Sequence, residues 1–379
     1  MNEACDPRRL LMLMGNDVPT VLNLRMNLIR SLQDAGYRVG VAAPPMEASS
    51  QLEAAGISFY PVRMLPTGMR PTADGSLFWQ YVRLLRSERP AAILGFTVKP
   101  NVYGSLAARL CGIPALNNIT GLGTAFISQG PLESLVTALY RPALRKAQAV
   151  FFHNQDDRDL FIARRIVRGE QAILIPGSGI DLSRFKPEPL PGRADAPVFL
   201  LIGRLINEKG AREFVDAAHR LKSDWPNARF QLLGDFATGP RAVSREELES
   251  WVAAGTVEYL GSSTDVRPFI AEADCLVLPS YREGLPRSLL EGAAMGRPLI
   301  ATDAPGCRNL VEPGVTGFLC DVRSAVSLAG AMERVLRLTP DERVKMGGRA
   351  RQMVEERFSD ERVSEAYLAV LGRLKRADH

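Results

Sequence analysis

Short apolar runs alternate along the chain with stretches in which apolar residues recur every three or four positions. Residues 10–14 (LLMLM) form an uninterrupted apolar run closed by Gly15. Leu22, Met26, Ile29 and Leu32 then share one face of a helix spanning 22–32 that Gly36 ends. The same reading places strands at 39–43, 57–62, 91–96, 114–119 and 149–153, and helices at 52–55, 77–85, 102–110 and 132–145. Strands that are apolar throughout, rather than alternating, are buried on both faces, which describes a parallel sheet sandwiched between helices. The stretch 186–193 (KPEPLPGR) interrupts regular structure and reads as a linker. The alternation then restarts, with strands at 198–202, 229–233, 257–260, 275–278 and 299–302 and helices at 210–221 and 286–295; residues 341–375 are charged and helix-rich. The pattern predicts two doubly wound α/β domains in tandem, with ligands beyond the carboxyl ends of the strands, in a cleft where the two domains face each other.

Composition agrees. At about 150 residues per domain, 379 residues make two domains, and 46% hydrophobic residues exclude a disordered chain. Histidines occur only at 153, 219 and 379, with no metal-binding spacing. The cysteines, Cys5, Cys111, Cys275, Cys307 and Cys320, are odd in number and form no C-x-x-C, so free thiols are expected. Arg8-Arg9 before the first apolar run imitates a secretion leader, but the run ends too early at Gly15-Asn16-Asp17 and reads instead as a buried strand. No uncharged apolar stretch reaches the roughly 18 residues of a membrane span.

Charge narrows the partners. Residues 1–188 hold 21 Lys/Arg against 15 Asp/Glu, a balance of +6, and the remainder balances at −1. The excess concentrates in 60–150, where ten basic residues face only Asp74, Glu88 and Glu133. Such a region suits an anionic partner, a lipid head group or a diphosphate, or is simply a solvated basic face. Nucleic acid is disfavoured, because no RNP motif, finger or basic–aromatic interleaving is present.

Three strand-end segments carry candidate chemistry. Gly203-Arg204-Leu205-Ile206-Asn207-Glu208-Lys209-Gly210 leads from a strand into a helix, and it combines two permanent cations with free N–H groups and the positive end of a helix dipole. That set fits a diphosphate; alone it is also compatible with an ordinary charged loop. Pro279-Ser280-Tyr281-Arg282-Glu283-Gly284-Leu285-Pro286-Arg287-Ser288-Leu289-Leu290-Glu291 follows the candidate strand at 275–278, with Pro286 in the first helical turn and Glu291 about 7.5 Å further along that helix. Two carboxylates so spaced can accept paired hydroxyls of a sugar or ribose, or be a loop charge and a solvent-facing helix residue. Thr302-Asp303-Ala304-Pro305-Gly306-Cys307-Arg308-Asn309-Leu310-Val311-Glu312 is a strand-end loop rich in turn formers near the same rim.

Glu283 to Glu291 matches the E-x7-E motif of retaining glycosyltransferases of family 4, which have the GT-B fold. Gly203-Arg204, Glu208-Lys209-Gly210, Leu278-Pro279-Ser280, Glu291-Gly292-Ala293-Ala294 and Gly314-Val315-Thr316-Gly317-Phe318 are similar to that family in order and distance. The first half resembles bacterial enzymes that extend lipid-diphosphate-linked saccharides, at Thr97-Val98-Lys99-Pro100-Asn101 and Gly121-Leu122-Gly123-Thr124-Ala125-Phe126. The resemblance implies an α/β GT-B fold with an acceptor-binding Rossmann-like domain at 1–187, a nucleotide-sugar domain at 188–355 and a final helix at 356–379 crossing back to the first. Arg204 and Lys209 would hold the donor diphosphate. Glu283 would meet the transferred sugar, and Glu291 the ribose. Gly203, Gly284 and Leu285 would contribute backbone around the donor, and Lys99, Asn101, Thr120 and Gly121 would face the acceptor. Two features depart from many relatives: one glycine rather than a pair after the first strand, and no histidine at 97–99 or 117–120.

The activity so implied is transfer of a hexose or N-acetylhexosamine from a UDP-sugar to a lipid-diphosphate-linked saccharide. It would need no cofactor and no metal, and would take place at the inner face of the cytoplasmic membrane. Met64-Leu65-Pro66 and residues 77–85 could add apolar contact with that surface. The alternative readings are a UDP-sugar 2-epimerase of the same architecture and a non-enzymatic nucleotide-sugar or lipid-diphosphate binding protein. A two-carboxylate glycosidase is disfavoured by the basic loop beside the glutamate pair.

Overall fold

The computed structural model describes residues 10–65, 68, 70–122, 130–193, 196–237, 239 and 241–377. The loop residues Gly123 to Phe126, and also Arg8, Arg9 and Pro66, lie outside the described residues. The chain divides into two units, Met1–Gly179 with Asp360–His379, and Ile180–Ser359.

In the first unit, β1 (Leu10–Met14), β2 (Arg38–Ala43), β3 (Ser58–Pro61), β4 (Ala92–Phe96), β5 (Ala115–Ile119), β6 (Ala149–Phe152) and β7 (Ala172–Leu174) form one parallel sheet, in the order 3-2-1-4-5-6-7. All five β1 residues are buried, as the unbroken apolar run requires. Leu13 pairs with both Val41 of β2 and Leu94 of β4, so β1 lies centrally. The helix expected at 22–32 is two helices, Val18–Leu24 and Met26–Asp34, broken at Arg25. The Asp17 carboxylate caps the first, accepting the Thr20 N–H at 2.7 Å. The Arg25 guanidinium leaves the helical surface to stack on Phe96, 4.4 Å from the ring centre.

The charged C-terminal segment is also two helices, Pro340–Arg357 and Asp360–Ala377. The second belongs to the first unit. Its Tyr367 is buried, stacks on Phe151 with centroids 4.3 Å apart and donates its hydroxyl hydrogen to Asn118 Oδ1. The Asn27 amide donates to the Asp360 carboxylate at the start of the same helix.

The second unit holds β8 (Val198–Ile202), β9 (Arg229–Leu233), β10 (Glu258–Tyr259), β11 (Cys275–Leu278), β12 (Leu299–Thr302) and β13 (Gly317–Cys320), parallel in the order 10-9-8-11-12-13. The proline-rich 186–193 stretch lies within this unit. There, fully buried Arg297 donates to four carbonyls: Glu188 at 2.8 Å, Pro189 at 3.1 Å, Ile270 at 2.9 Å and Ala271 at 3.0 Å. A guanidinium can do this because its five N–H groups fan outward in one plane. Arg297→Met would strip donors from all four carbonyls, so it is expected to lower stability by about 3 kcal/mol or more in urea unfolding. A loss within about 0.5 kcal/mol would show that water replaces the guanidinium.

Candidate functional site

Strand order in the second sheet reverses between β8 and β11, the place where an open α/β sheet leaves a crevice at its carboxyl edge. The loops leaving these two strands meet there. After β8, residues 203–206 are extended and irregular, Asn207–Lys209 make one tight turn, and the helix Ala211–Leu221 begins. Gly210 joins turn to helix at φ 74°, and a Cβ on it would stand 2.2 Å from the Pro279 carbonyl oxygen of the second loop. Only glycine meets both conditions. The Glu208 carbonyl accepts the Tyr281 N–H at 2.9 Å, which stitches the loops together.

Across this seam the Lys209 ammonium donates to Glu283 Oε1 at 2.5 Å. The Ser280 hydroxyl lies 2.7 Å from the same oxygen and 2.8 Å from the Glu208 carbonyl, with one hydrogen to share between them. Thr302, at the end of β12, donates to the Ser280 carbonyl, and the Glu283 N–H donates to the Pro305 carbonyl at 3.0 Å. The turn-rich 302–307 loop therefore packs under the glutamate. Gly306 (φ 81°) permits this, because a Cβ there would sit 2.3 Å from the Glu283 carbonyl oxygen. The Cys307 thiol is buried beneath, and burial together with the Glu283 charge pushes it up to about 12, so it stays protonated and inert.

Glu291 occupies the helix Arg287–Ala294. Pro286 is extended and sits at the cap, rather than in the first turn as the sequence predicted. Glu291 is only 9% exposed, which rejects the solvent-facing alternative, and it accepts from Arg287 Nε at 2.9 Å. Burial raises its carboxyl above the ordinary value, while the Arg287 and Arg184 charges oppose that rise. Gly203 and Leu285 are half-buried and Gly284 is buried. Arg204 is exposed, and none of the ion pairs among the described residues includes it.

An outer layer holds these loops. The Tyr281 hydroxyl donates to Glu213 Oε1 at 2.6 Å, and Arg323 stacks on its ring at 4.7 Å. Burial and the Glu213 charge push this phenol up to about 12. Arg212 grips Glu247 through two bonds of 2.6 and 2.8 Å. The sequence reading gave no role to Glu213, Arg287 or Arg323. Arg287 carried a legible signal, its i, i+4 spacing to Glu291; the other two are brought in by folding alone.

The first sheet reverses between β1 and β4, and its loops also touch: the Thr97 hydroxyl donates to the Asn16 side-chain oxygen. Thr97 has φ 70°, a strained conformation for a β-branched residue and of the kind found at ligand sites. A wide, π-type turn at Pro100–Gly104 follows. Lys99 is buried, with its ammonium 2.7 Å from Asp74. Asn101 has no exposed surface; its amide donates to the Asn118 carbonyl at 2.7 Å and accepts from Asn117 at 3.1 Å. Thr120 and Gly121 are half-buried just past β5. Among the acceptor-side candidates, Lys99 and Asn101 therefore shape the loop from inside, and Thr120 and Gly121 lie at the sheet's carboxyl edge. His153, just past β6, is buried beside Arg25, and burial and that charge lower it to about 3. No cluster of potential metal ligands occurs among the described residues.

Residues 24–177 match the family described as glycosyl transferase 4-like domain, and residues 196–337 match glycosyl transferases group 1. The chain is 27% identical over 343 residues to the N,N'-diacetylbacillosaminyl-diphospho-undecaprenol alpha-1,3-N-acetylgalactosaminyltransferase of Campylobacter jejuni, covering 86% of this chain and 88% of that protein. It is 26% identical over 269 residues to the UDP-Gal:alpha-D-GlcNAc-diphosphoundecaprenol alpha-1,3-galactosyltransferase of Escherichia coli, covering 67% of this chain and 68% of that protein. Among solved structures, Anabaena HepE in complex with UDP and glucose superposes with a TM-score of 0.78 at 20% identity, covering 96% of this chain and all of that one (100%). The structural likeness establishes the GT-B fold.

The raised carboxyl of Glu291 has a consequence for stability. A group whose pKa is higher folded than unfolded favours the folded state at low pH and loses that contribution as pH rises through the folded value. Relative to Glu291→Gln, which does not titrate, the unaltered protein should therefore lose stability as pH rises from about 4.5 toward 7. Urea unfolding of both proteins across that range checks the sign, and a difference that grows in the unaltered protein's favour would contradict it.

Proposed function

Since the chain belongs to the glycosyltransferases built from a 4-like domain and a group 1 domain, we propose that it moves a hexose or N-acetylhexosamine from a UDP-sugar to a saccharide carried on a lipid diphosphate, retaining the anomeric configuration. The observation that carries this reading is the Lys209–Glu283 contact at the strand reversal, with Glu291 buried on the helix that follows. The named activities of the Campylobacter and Escherichia relatives support the lipid-diphosphate acceptor, and the UDP in the HepE complex supports the donor.

The chemistry follows from the charges. Breaking the bond between the anomeric carbon and the phosphate oxygen leaves negative charge on the diphosphate and an oxocarbenium-like sugar. Lys209 and Arg204 meet the diphosphate, so the cations are in place before charge develops. Binding a diphosphate draws the Lys209 ammonium from Glu283, whose carboxylate is then available to the sugar hydroxyls. Glu291 accepts the ribose hydroxyls, and the Gly203, Gly284 and Leu285 backbone lines the sugar–phosphate. The acceptor hydroxyl attacks the face from which the diphosphate departs, and its proton passes to the departing phosphate oxygen. No strong protein base is required. Thr120 and Gly121 contact the acceptor, and Lys99 and Asn101 hold their loop. Two side-chain cations neutralise the leaving group, so the reaction proceeds without a metal. The basic first unit keeps the enzyme at the anionic inner face of the membrane; no helix among the described residues is long and apolar enough to cross it.

Lys209→Ala should lower kcat by about 10²–10³, and Glu291→Gln should raise the donor KM more than it lowers kcat. A loss shared equally by both parameters in Glu291→Gln would remove it from ribose binding. Incubation with labelled UDP-sugar, with and without lipid-linked acceptor, should show UDP release that depends on acceptor and survives chelation. Conversion of the UDP-sugar without acceptor would indicate an epimerase, and complete loss on chelation restored by Mg²⁺ would contradict metal independence.

A further inference from the structure

The first unit carries a pocket of about 480 Å³, within the roughly 300–1,000 Å³ range of small-molecule sites. Asp74, Gly75 and Phe78 of the helix Pro71–Glu88 form one wall, and Tyr103, Leu106 and Leu139 form the others. The walls are almost entirely carbon. The one acid, Asp74, is spoken for: Lys99 donates to one oxygen at 2.7 Å and the Arg70 N–H to the other at 3.2 Å.

Gly75 is the informative residue. It sits inside an 18-residue helix, where glycine is the least favourable residue after proline. A Cβ on it would meet no atom within 4 Å, and its φ is not left-handed. Neither packing nor backbone conformation requires a glycine there. What the missing side chain does is leave the pocket open.

We infer that this pocket holds an isoprenoid segment of the acceptor lipid. The inference rests on the proposed function for the lipid-diphosphate nature of the acceptor. Shape favours a single chain over the bilayer itself, because a bilayer receives protruding apolar side chains whereas this surface is concave. Charge favours a diphosphate-linked chain. Arg70, exposed, directly precedes Pro71 on the rim, and Arg109, also exposed, lies one helical turn beyond Leu106. Trp79 is 53% exposed and its ring is 5.3 Å from that of Phe78, so the apolar surface continues outward from the pocket. An apolar pocket whose lining residues adjoin two exposed arginines along the chain matches a hydrocarbon chain ending in a diphosphate.

Farnesyl diphosphate is a soluble probe for the test, with inorganic diphosphate as its chain-free counterpart. Calorimetric titration of the unaltered protein should show farnesyl diphosphate binding at least about tenfold tighter, the effect of burying a few methylene groups. Gly75→Leu, which fills the pocket and improves the helix, should erase that preference and leave UDP binding unchanged. Equal affinities in the unaltered protein, or a preference that survives Gly75→Leu, would overturn the inference. So would loss of anionic-vesicle binding by Gly75→Leu without probe, which would assign the pocket to the bilayer. Photolabelling by a benzophenone-bearing farnesyl diphosphate should mark peptides containing Phe78, Leu106 or Leu139, whatever the variant's stability; labelling elsewhere counts against the pocket. None of these readouts depends on sugar transfer, so failure of the transfer assay remains a separate result against the proposed function.

Discussion

One ammonium–carboxylate contact organises the candidate site. Lys209 and Glu283 reach each other because β8 and β11 are neighbours in the second sheet, although 74 residues separate the two side chains in sequence. Both groups are mostly buried, with side-chain exposures of 23% and 16%. A pair so placed is screened less than a surface pair, whose net worth is about 0–1 kcal/mol. It also keeps both charges where a more highly charged diphosphate can take over the cation. In the proposed reaction this pair is the site's own counter-charge, and the donor diphosphate would exchange with it.

The surrounding structure serves to hold that contact. The Glu208 carbonyl ties the loops, Gly210 and Gly306 allow backbone approaches that a side chain would block, and Tyr281–Glu213 fixes the second loop to the helix that begins at the first. The first sheet has an analogous device at its own strand reversal, where Thr97 bonds to Asn16, but its interior is different. There a buried network of Asn101, Asn117, Asn118 and Tyr367 lies under the strand ends. Such buried amide contacts rigidify a loop, although Asn117 Oδ1 accepts no bond, and Tyr367 brings the C-terminal helix into the network.

The strands were largely legible because burial on both faces leaves an unbroken apolar run, as in LLMLM of β1. The exceptions are physical. Beyond the last sequence-predicted strand of each unit lie β7 and β13, an edge strand only three residues long and one that begins at a glycine. In β13 a Cβ on Gly317 would lie 1.8 Å from the Leu299 carbonyl oxygen, so the glycine marks a close approach and conceals the strand from propensity. The break at Arg25 depends on stacking against Phe96, 71 residues away, which no local pattern reveals. In the site, Lys209, Glu283 and Glu291 could be named from the sequence, and the spacing of Arg287 to Glu291 was legible there too, but the burial of Glu291 had to be seen. Lys99 and Asn101 illustrate the converse: a polar residue after a strand reads the same whether it faces a ligand or closes an internal network.

The exchange of Lys209 between carboxylate and diphosphate is tested most directly by a crystal structure with UDP bound. The account predicts the Lys209 ammonium within hydrogen-bond distance of a phosphate oxygen, parted from Glu283, with Glu291 accepting the ribose hydroxyls. UDP bound with Lys209 still paired to Glu283 and no contact from Glu291 would contradict it.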